Sequence, residues 1–205
     1  LTGQVGAIMD ELSDRILGMK ADATQIAQAV EEIKAAKRIF ITSTTEGYGI
    51  ATLWSTYLGL LGIKTYSVRA GQAQAAILLR DTGPGDLLVA ISLGLGPDAE
   101  VGHLLSAVKG QGTRTISITT SPTLLPARQA DVNLVTPSKT PSGYPSFDTL
   151  TALLSILWQT LIAVDISKSQ DSVKATIGAL NDLVEQKDKV PNYDVAALMR
   201  LWGQA

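Results

Sequence analysis

Residues 87–101 read LLVAISLGLGPDAEV, and this stretch decides the fold. Residues 87–92 form an apolar run that ends in one serine, as expected of a strand buried on both faces of a parallel sheet. A glycine-rich loop follows, and Pro97 suits the first turn of a helix. The stretch therefore predicts a buried strand, a short loop and a helix start where backbone N–H groups can face a ligand.

Strand and helix patterns alternate on both sides of this stretch. The short β-rich or apolar runs, interpreted as strands, cover residues 38–41, 64–68, 87–92, 113–119 and 132–135. The helical patterns cover residues 48–61, 72–80, 97–109, 124–129 and 148–164. Such alternation predicts an α/β fold with a five-stranded parallel, doubly wound sheet in the flavodoxin-like order 2-1-3-4-5.

Amphipathic helical patterns also lie outside this alternating unit. Apolar residues recur at helical spacing in residues 5–37, and similar patterns return in residues 173–186 and 195–202. An amphipathic helix must cover its apolar face with another part of the protein or with a second molecule. We therefore expect extra helices at both termini and predict a homodimer or a higher homo-oligomer.

The composition narrows the class of protein. The chain has 205 residues, 45% hydrophobic and 18% charged, which suits one α/β domain with a full core. A net charge of −2 and the lack of a basic stripe argue against a nucleic-acid-binding surface in this chain. Cysteine is absent, which excludes disulfides and fits a cytoplasmic location. No apolar run of membrane-spanning length stands out, so no membrane partner is expected.

Two loops are the candidates for a ligand site. Doubly wound sheets bind ligands beyond the carboxyl ends of the first and third strands, where the strand order reverses. Those ends carry TSTTEGYG at residues 42–49 and SLGLGPDAE at residues 92–100. Hydroxyls and N–H groups there can bind a sugar or an anion, although serine and threonine also cap helices. The candidate ligand-binding residues are Ser43, Thr44, Thr45, Gly47, Ser92, Gly94, Gly96 and Thr120.

Three serine and threonine positions have simpler alternative explanations. Thr120 follows the fourth strand and lies next to Ser121-Pro122, an ordinary signal for the start of a helix. Ser142 and Ser146 belong to a Pro/Gly/Ser-rich loop ahead of the long apolar helix, which could close over the pocket. The sequence alone does not separate ligand contacts from capping and connecting roles at these positions.

Three residues near the two loops are candidates for acid or base catalysis: Glu46, Glu100 and His103. An enzyme that moves a proton to or from a substrate carbon needs such a group. None of the three has an evident orienting partner, and the helix macrodipole alone explains a carboxylate at Glu100. His103 is the only histidine and lacks partners at metal-binding spacing, so neither a metal nor another cofactor is expected. The sequence therefore favours a binding protein over an enzyme.

Three segments resemble the SIS (sugar isomerase) domain, which binds phosphosugars. They are KRIFITSTTEGYGIA at residues 37–51, TGPGDLLVAIS at residues 82–92 and TRTISITTSPTLLPARQADVNL at residues 113–134. They occur in this order ahead of a long apolar helix, and the similarity covers roughly residues 22–165. Within that family, the chain is most similar to the ligand domain of RpiR-type bacterial transcription regulators.

Both candidate loops depart from the family pattern. Where the family has G-x-G-x-S after the first strand, this chain has TSTTE at residues 42–46. After the third strand the family's S-x-S-G-x-T holds a phosphate, whereas this chain keeps Ser92 but carries GLGP at residues 94–97. The loss of two hydroxyls weakens phosphate binding, since a hydrogen bond to a charged group contributes about 1.5–3 kcal/mol. Glu46 would repel a phosphate further, so we expect a ligand that differs from an ordinary sugar phosphate.

The resemblance also implies a domain organisation and a function. We expect one SIS-like domain over residues 1–205, with a core of about 22–165 and helical extensions at 1–21 and 166–205. The chain starts at Leu1 rather than Met, and a helical pattern begins almost at once. We therefore expect an N-terminal helix-turn-helix domain to be absent from it.

A sugar- or sugar-phosphate-sensing effector domain is the function that these expectations favour. Such a domain would contact DNA only through the helix-turn-helix domain missing from this chain. A stand-alone SIS isomerase of aldose and ketose phosphates is the principal alternative. A carbohydrate-binding protein with neither role is the third hypothesis.

Overall fold

The computed structural model describes residues 2–136 and 147–183, and its central element is a five-stranded parallel sheet. The strands are β1 (Arg38–Ser43), β2 (Thr65–Arg69), β3 (Asp86–Ser92), β4 (Arg114–Thr119) and β5 (Val132–Val135). Their order is β2-β1-β3-β4-β5, as the sequence predicts. All seven residues of β3 are buried because this strand lies in the middle of the sheet, between β1 and β4.

Helices cover both faces of the sheet. They are α1 (Thr2–Gly18), α2 (Ala23–Ala35), α3 (Thr45–Leu60), α4 (Ala73–Leu79), α5 (Asp98–Gly110), α6 (Leu125–Gln129), α7 (Phe147–Val164) and α8 (Ile166–Leu183). A 3₁₀ turn at Met19–Asp22 joins α1 to α2. The predicted doubly wound architecture with extra helices at both termini is confirmed.

Two hydrophobic cores form because successive strand residues point to opposite faces of the sheet. Ile39 and Ile41 of β1 pack into the core beneath α2, α3 and α7. Phe40, between them, packs into the smaller core beneath α4 and α5. The residues of β3 alternate in the same way. Each fully buried aliphatic side chain of this kind contributes about 1.5–3 kcal/mol to folding.

α7 is a long apolar helix. Its 18 residues make it, within residues 2–136 and 147–183, the one helix long and apolar enough by composition to cross a membrane. In the structure, however, Leu150, Leu153 and Leu157 are buried in the larger core. The helix also packs against α1, α2 and α3. The apolar face of α7 therefore packs into the core of the domain.

The terminal helices contribute less to the core than the helices of the α/β unit. α1 has no buried residue, and Ile8 and Met9 are 59% and 65% exposed. α8 begins before the predicted residue 173, because the Asp165 carboxylate accepts a hydrogen bond of 3.1 Å from the Lys168 N–H and caps the helix. The helical pattern predicted at residues 195–202 lies outside the described residues. Oligomerisation stays a prediction.

Candidate functional site

The carboxyl ends of β1 and β3 lie side by side, so the two predicted ligand loops start at the same edge of the sheet. Ser43 pairs with Ile91 in the sheet, and its hydroxyl donates a 2.9 Å hydrogen bond to the Ile91 carbonyl. Gly47 packs directly against the Ser43 side chain, and both residues are buried. The structure thus places these two candidate ligand-binding residues in the joint between α3 and the sheet.

α3 begins three residues earlier than the sequence predicts. It starts at Thr45, with Thr44 as the N-cap residue in an extended conformation. The pKa of the Glu46 carboxyl is lowered, first by a hydrogen bond from its own backbone N–H and then by one from the Thr44 hydroxyl. Attraction by Arg69 adds to this effect, and desolvation partly opposes it. The amino end of α3 therefore holds a carboxylate that belongs to the chain itself.

The loop after β3 also contains an internal carboxylate contact. The Ser92 hydroxyl, a candidate ligand contact, donates a hydrogen bond to the Asp98 carboxylate in the first turn of α5. The backbone N–H of Asp98 donates to the Gly96 carbonyl at 2.7 Å. Gly94 has a φ of +73°, a conformation that favours glycine. These contacts fold the loop back on itself ahead of α5.

The two loops meet across the edge of the sheet. Oε2 of Glu46 lies 3.0 Å from the position that a β-carbon on Gly96 would occupy. The Thr120 hydroxyl, which follows β4, donates a 3.2 Å hydrogen bond to the Leu93 carbonyl. The same hydroxyl lies 3.3 Å from the position of a β-carbon on Gly94. The structure therefore brings Glu46, Gly94, Gly96 and Thr120 together beyond the carboxyl ends of β1, β3 and β4.

Arg69 is a residue of this edge that the sequence analysis missed. It ends β2 and pairs with Ser43 in the sheet. Its guanidinium carbon lies 5.3 Å from the centre of the Tyr48 ring, within the range of a cation–π contact. Its Nε is buried and has no hydrogen-bond partner among the described residues. The sequence shows an arginine at the end of a predicted strand. It does not show that this strand lies beside β1, which is what brings Arg69 to the ligand edge.

The three acid or base candidates are placed differently. Glu46 lies at the edge, as described, and Oε2 of Glu100 lies 2.5 Å from the position of a β-carbon on Gly71, in the loop after β2. His103 is exposed on α5. Within residues 2–136 and 147–183, no group of three or more His, Cys, Asp or Glu residues could hold a metal ion. Ser142 and Ser146 lie outside the described residues.

A separate cavity of about 290 Å³ opens between α3 and α7. Its walls are mainly aromatic and aliphatic and include Trp54, Tyr57 and Trp158. The Trp158 indole N–H donates to the Tyr57 carbonyl at 3.1 Å, so this N–H already has a hydrogen-bond acceptor within the protein. We place the candidate ligand site at the sheet edge instead, because polar groups from three loops converge there.

Comparison with known proteins gives the family. The family model of the SIS domain matches residues 32–163, which is more than half of the chain. A search of curated protein sequences finds no match. Solved structures of several proteins share the fold at low sequence identity.

Three of these structures illustrate the range of similar proteins. The sugar isomerase domain of an RpiR transcription factor from Sphaerobacter thermophilus is 20% identical, with a TM-score of 0.76 over 84% of this chain and 97% of that one. The Vibrio vulnificus NanR protein, solved with ManNAc-6P, is 19% identical, with a TM-score of 0.68 over 90% of this chain and 72% of that one. A Methanococcus jannaschii protein, inferred from its structure to be a 3-hexulose-6-phosphate isomerase, is 21% identical, with a TM-score of 0.65 over 82% of this chain and 95% of that one. At these identities the likeness concerns the fold, and together with the family match over residues 32–163 it leads to one conclusion: the chain belongs to the SIS domain family.

Proposed function

We propose that this chain is the sugar- or sugar-phosphate-sensing effector domain of an RpiR-type bacterial transcription regulator. The observation that carries the proposal is the contact between the β1–α3 and β3–α5 loops at the switch point of the sheet, where Glu46 lies against Gly96. In doubly wound sheets this is the position at which small ligands bind. Similarity to the fold of an RpiR sugar isomerase domain supports the regulator class.

The chemistry of the edge suits a carbohydrate. Arg69 offers a buried Nε that has no hydrogen-bond partner among the described residues, and the carboxylates of Glu46 and Glu100 offer acceptors for sugar hydroxyls. Two structures of similar fold contain sugar phosphates, NanR with ManNAc-6P and an Escherichia coli protein with a different one. Sugar phosphates and the corresponding free sugars are therefore the first compounds to test.

A stand-alone isomerase of aldose and ketose phosphates is the second candidate. Two carboxylates, Glu46 and Glu100, lie at the ligand edge and are possible bases for the proton transfer that isomerisation requires. The Glu46 carboxylate, however, already accepts hydrogen bonds from Thr44 and from its own N–H, which stabilise the charged form and lower its basicity. His103 is exposed on α5. These features favour sensing over catalysis.

In the proposed role the protein acts in the cytoplasm as a homodimer or a higher homo-oligomer. It contacts DNA through a helix-turn-helix domain outside this chain, which agrees with the net charge of −2. The exposed apolar side chains of α1, such as Ile8 and Met9, support self-association. Neither a metal nor a cofactor takes part in the proposed role.

Calorimetric titration tests the binding function. We expect the chain to bind at least one compound in a panel of ManNAc, ManNAc-6P and further pairs of a sugar and its phosphate. The full regulator should then change its affinity for operator DNA by about fivefold or more when that compound is added, as is typical of allosteric coupling. Conversion of an aldose phosphate into a ketose phosphate by the purified chain would support the isomerase instead. Absence of binding by every compound would contradict both functions.

A further inference from the structure

The ligand edge already holds carboxylates of the chain where a bound phosphate would need hydrogen-bond donors. The one hydroxyl that the β3 loop shares with the family pattern, that of Ser92, donates to the Asp98 carboxylate. The amino end of α3, which would otherwise attract an anion, carries the Glu46 carboxylate, which lies against Gly96 of the loop after β3. The Ser92 hydroxyl is therefore already used inside the protein, and a carboxylate lies at the amino end of α3.

Glu46 lies between the two candidate ligand loops. Its Oε2 lies 3.0 Å from the position of a β-carbon on Gly96, so the carboxylate reaches from the start of α3 to the loop after β3. Glu46 also stands at the end of TSTTE, residues 42–46, where the resembling family pattern G-x-G-x-S has a serine. An anion thus replaces a hydroxyl between the two ligand loops.

The charges around Glu46 do not compensate for it. Asp98, which accepts from Ser92, and Glu100, which lies against Gly71, are in the first turn of α5, so with Glu46 the edge has three carboxylates. The cation identified at the edge, Arg69, already attracts Glu46 and lies over the Tyr48 ring. A phosphate would add about −1.5 to −2 charges at neutral pH to this group. A hydroxyl would instead find carboxylate acceptors and could accept from the buried Arg69 Nε–H, and an ammonium group would find the carboxylate acceptors.

From this arrangement we infer that Glu46 is a specificity-determining residue, which excludes phosphate and selects an uncharged or amino sugar. The inference rests on the proposed function, because it names the ligand class of the same site. Glu46 acts at the ligand edge already described. Its negative charge disfavours a sugar phosphate relative to the same sugar without the phosphate.

Inorganic phosphate is the direct probe of this role. We expect Glu46→Gln, which keeps the shape of the side chain but removes its charge, to bind phosphate at least about tenfold more tightly than the wild-type chain. Glu46→Ser restores the hydroxyl of the family pattern and should shift the affinity in the same direction. Glu31→Gln on α2 makes the same change in net charge outside the ligand edge and should alter phosphate binding by less than about twofold.

Thermal unfolding of each variant keeps the test interpretable. Thr44 and Glu46 lie at the start of α3, so Glu46→Gln could destabilise the helix, and Glu46→Ser then serves as the independent second variant. If neither folded variant binds phosphate more tightly than the wild-type chain, the inference is overturned. The same holds if the wild-type chain binds phosphate as tightly as the variants do.

Matched pairs of sugars separate this inference from the proposed function. The wild-type chain should prefer the unphosphorylated member of a pair such as ManNAc and ManNAc-6P, and Glu46→Ser should reduce or reverse that preference. A wild-type preference for the phosphorylated member would overturn the inference and leave the sensor function standing. Failure of the wild-type chain and both variants to bind any sugar would count against the sensor function, while the phosphate titration would still decide the role of Glu46.

Discussion

The α-carbon of Gly47 packs against the side chain of Ser43 so closely that no β-carbon fits between them. The Ser43 hydroxyl in turn donates to the Ile91 carbonyl at 2.9 Å, so one small contact links α3 to both β1 and β3. Glycine ordinarily weakens a helix. Its presence in the first turn of α3 is explained by this close approach, which also sets the position of the ligand loop.

Gly47→Ala should therefore destabilise the protein although alanine is the better helix former. The added methyl group must displace Ser43 and break its hydrogen bond, which we expect to lower the free energy of unfolding by about 1–3 kcal/mol. Gly49→Ala is the matched control, because nothing lies within 4 Å of the position of its β-carbon. That variant should gain up to about 1 kcal/mol from helix propensity. Urea unfolding of the two variants measures both values, and equal effects would refute the packing argument.

A bidentate ion pair joins the amino ends of β1 and β3. Nε of Arg38 lies 2.8 Å from Oδ1 of Asp86, and its Nη2 lies 2.6 Å from Oδ2. The Gly83 N–H also donates to this carboxylate, whose side chain is 7% exposed. The Arg38 guanidinium holds the pKa of Asp86 below its ordinary value, and the Gly83 N–H makes a smaller contribution in the same direction. Desolvation of the carboxylate opposes both.

This pKa shift predicts the direction of a pH effect on stability. Because the folded-state pKa of Asp86 lies below the unfolded value of about 3.9, the ion pair stabilises the protein above that pH. The contribution is lost as the pH falls through the lowered folded-state pKa. Asp86→Asn should cost about 1–3 kcal/mol at pH 7, and its difference from wild type should shrink at acidic pH.

Urea unfolding at a series of pH values from neutral to acidic measures this difference. Asp81→Asn is the control, because the Asp81 carboxylate is exposed and pairs with the exposed Arg80. Its effect on stability should stay small at every pH. A difference between wild type and Asp86→Asn that is constant with pH would exclude the ion pair as its source.

The sheet could be predicted because its strands carry strong local signals, above all the apolar run of β3. The start of α3 could not, since Thr44, Thr45 and Glu46 are as typical of a loop as of a helix start. The helix start depends instead on long-range contacts, in which Glu46 lies against Gly96 and Gly47 approaches Ile91 of β3. Tertiary contact, rather than propensity, determines the boundary.

The candidate site was predictable in its location but not in its contacts. The switch-point rule places the loops after β1 and β3 at one edge, and the structure agrees. The rule gives no indication that Ser43 and Ser92 bond within the protein, because short side chains can turn towards the backbone or away from it. Arg69 enters the site only through its register with Ser43, a relationship between distant parts of the chain.

Self-association through α1 is the next expected property. Val5, Ile8 and Met9 are each at least half exposed, on a helix that has no buried residue. We expect the protein to be a dimer or larger by light scattering at micromolar concentration. Ile8→Glu should weaken association by about tenfold or more, because it places a charge in an apolar interface. Ala7→Glu, an exposed position that faces away from Val5 and Met9 on the same helix, adds an equal charge and should have a smaller effect. A wild-type monomer would contradict this prediction.

The backbone of Gly94 explains why the loop after β3 carries glycine where the family pattern has serine. Its φ of +73° is unfavourable for residues with a β-carbon, and that carbon would lie 3.3 Å from the Thr120 hydroxyl. Gly94→Ala should therefore cost about 1–2 kcal/mol in stability. The loop should also shift away from Glu46 and Thr120, which lowers the affinity for the best-binding sugar of the panel.

Gly110→Ala, at the far end of α5 with open space at its β-carbon, is the control for adding a methyl group. Both variants should stay folded at room temperature, so calorimetry can compare their affinities directly. If Gly94→Ala binds the sugar as tightly as Gly110→Ala does, the loop only connects β3 to α5 and does not form part of the site.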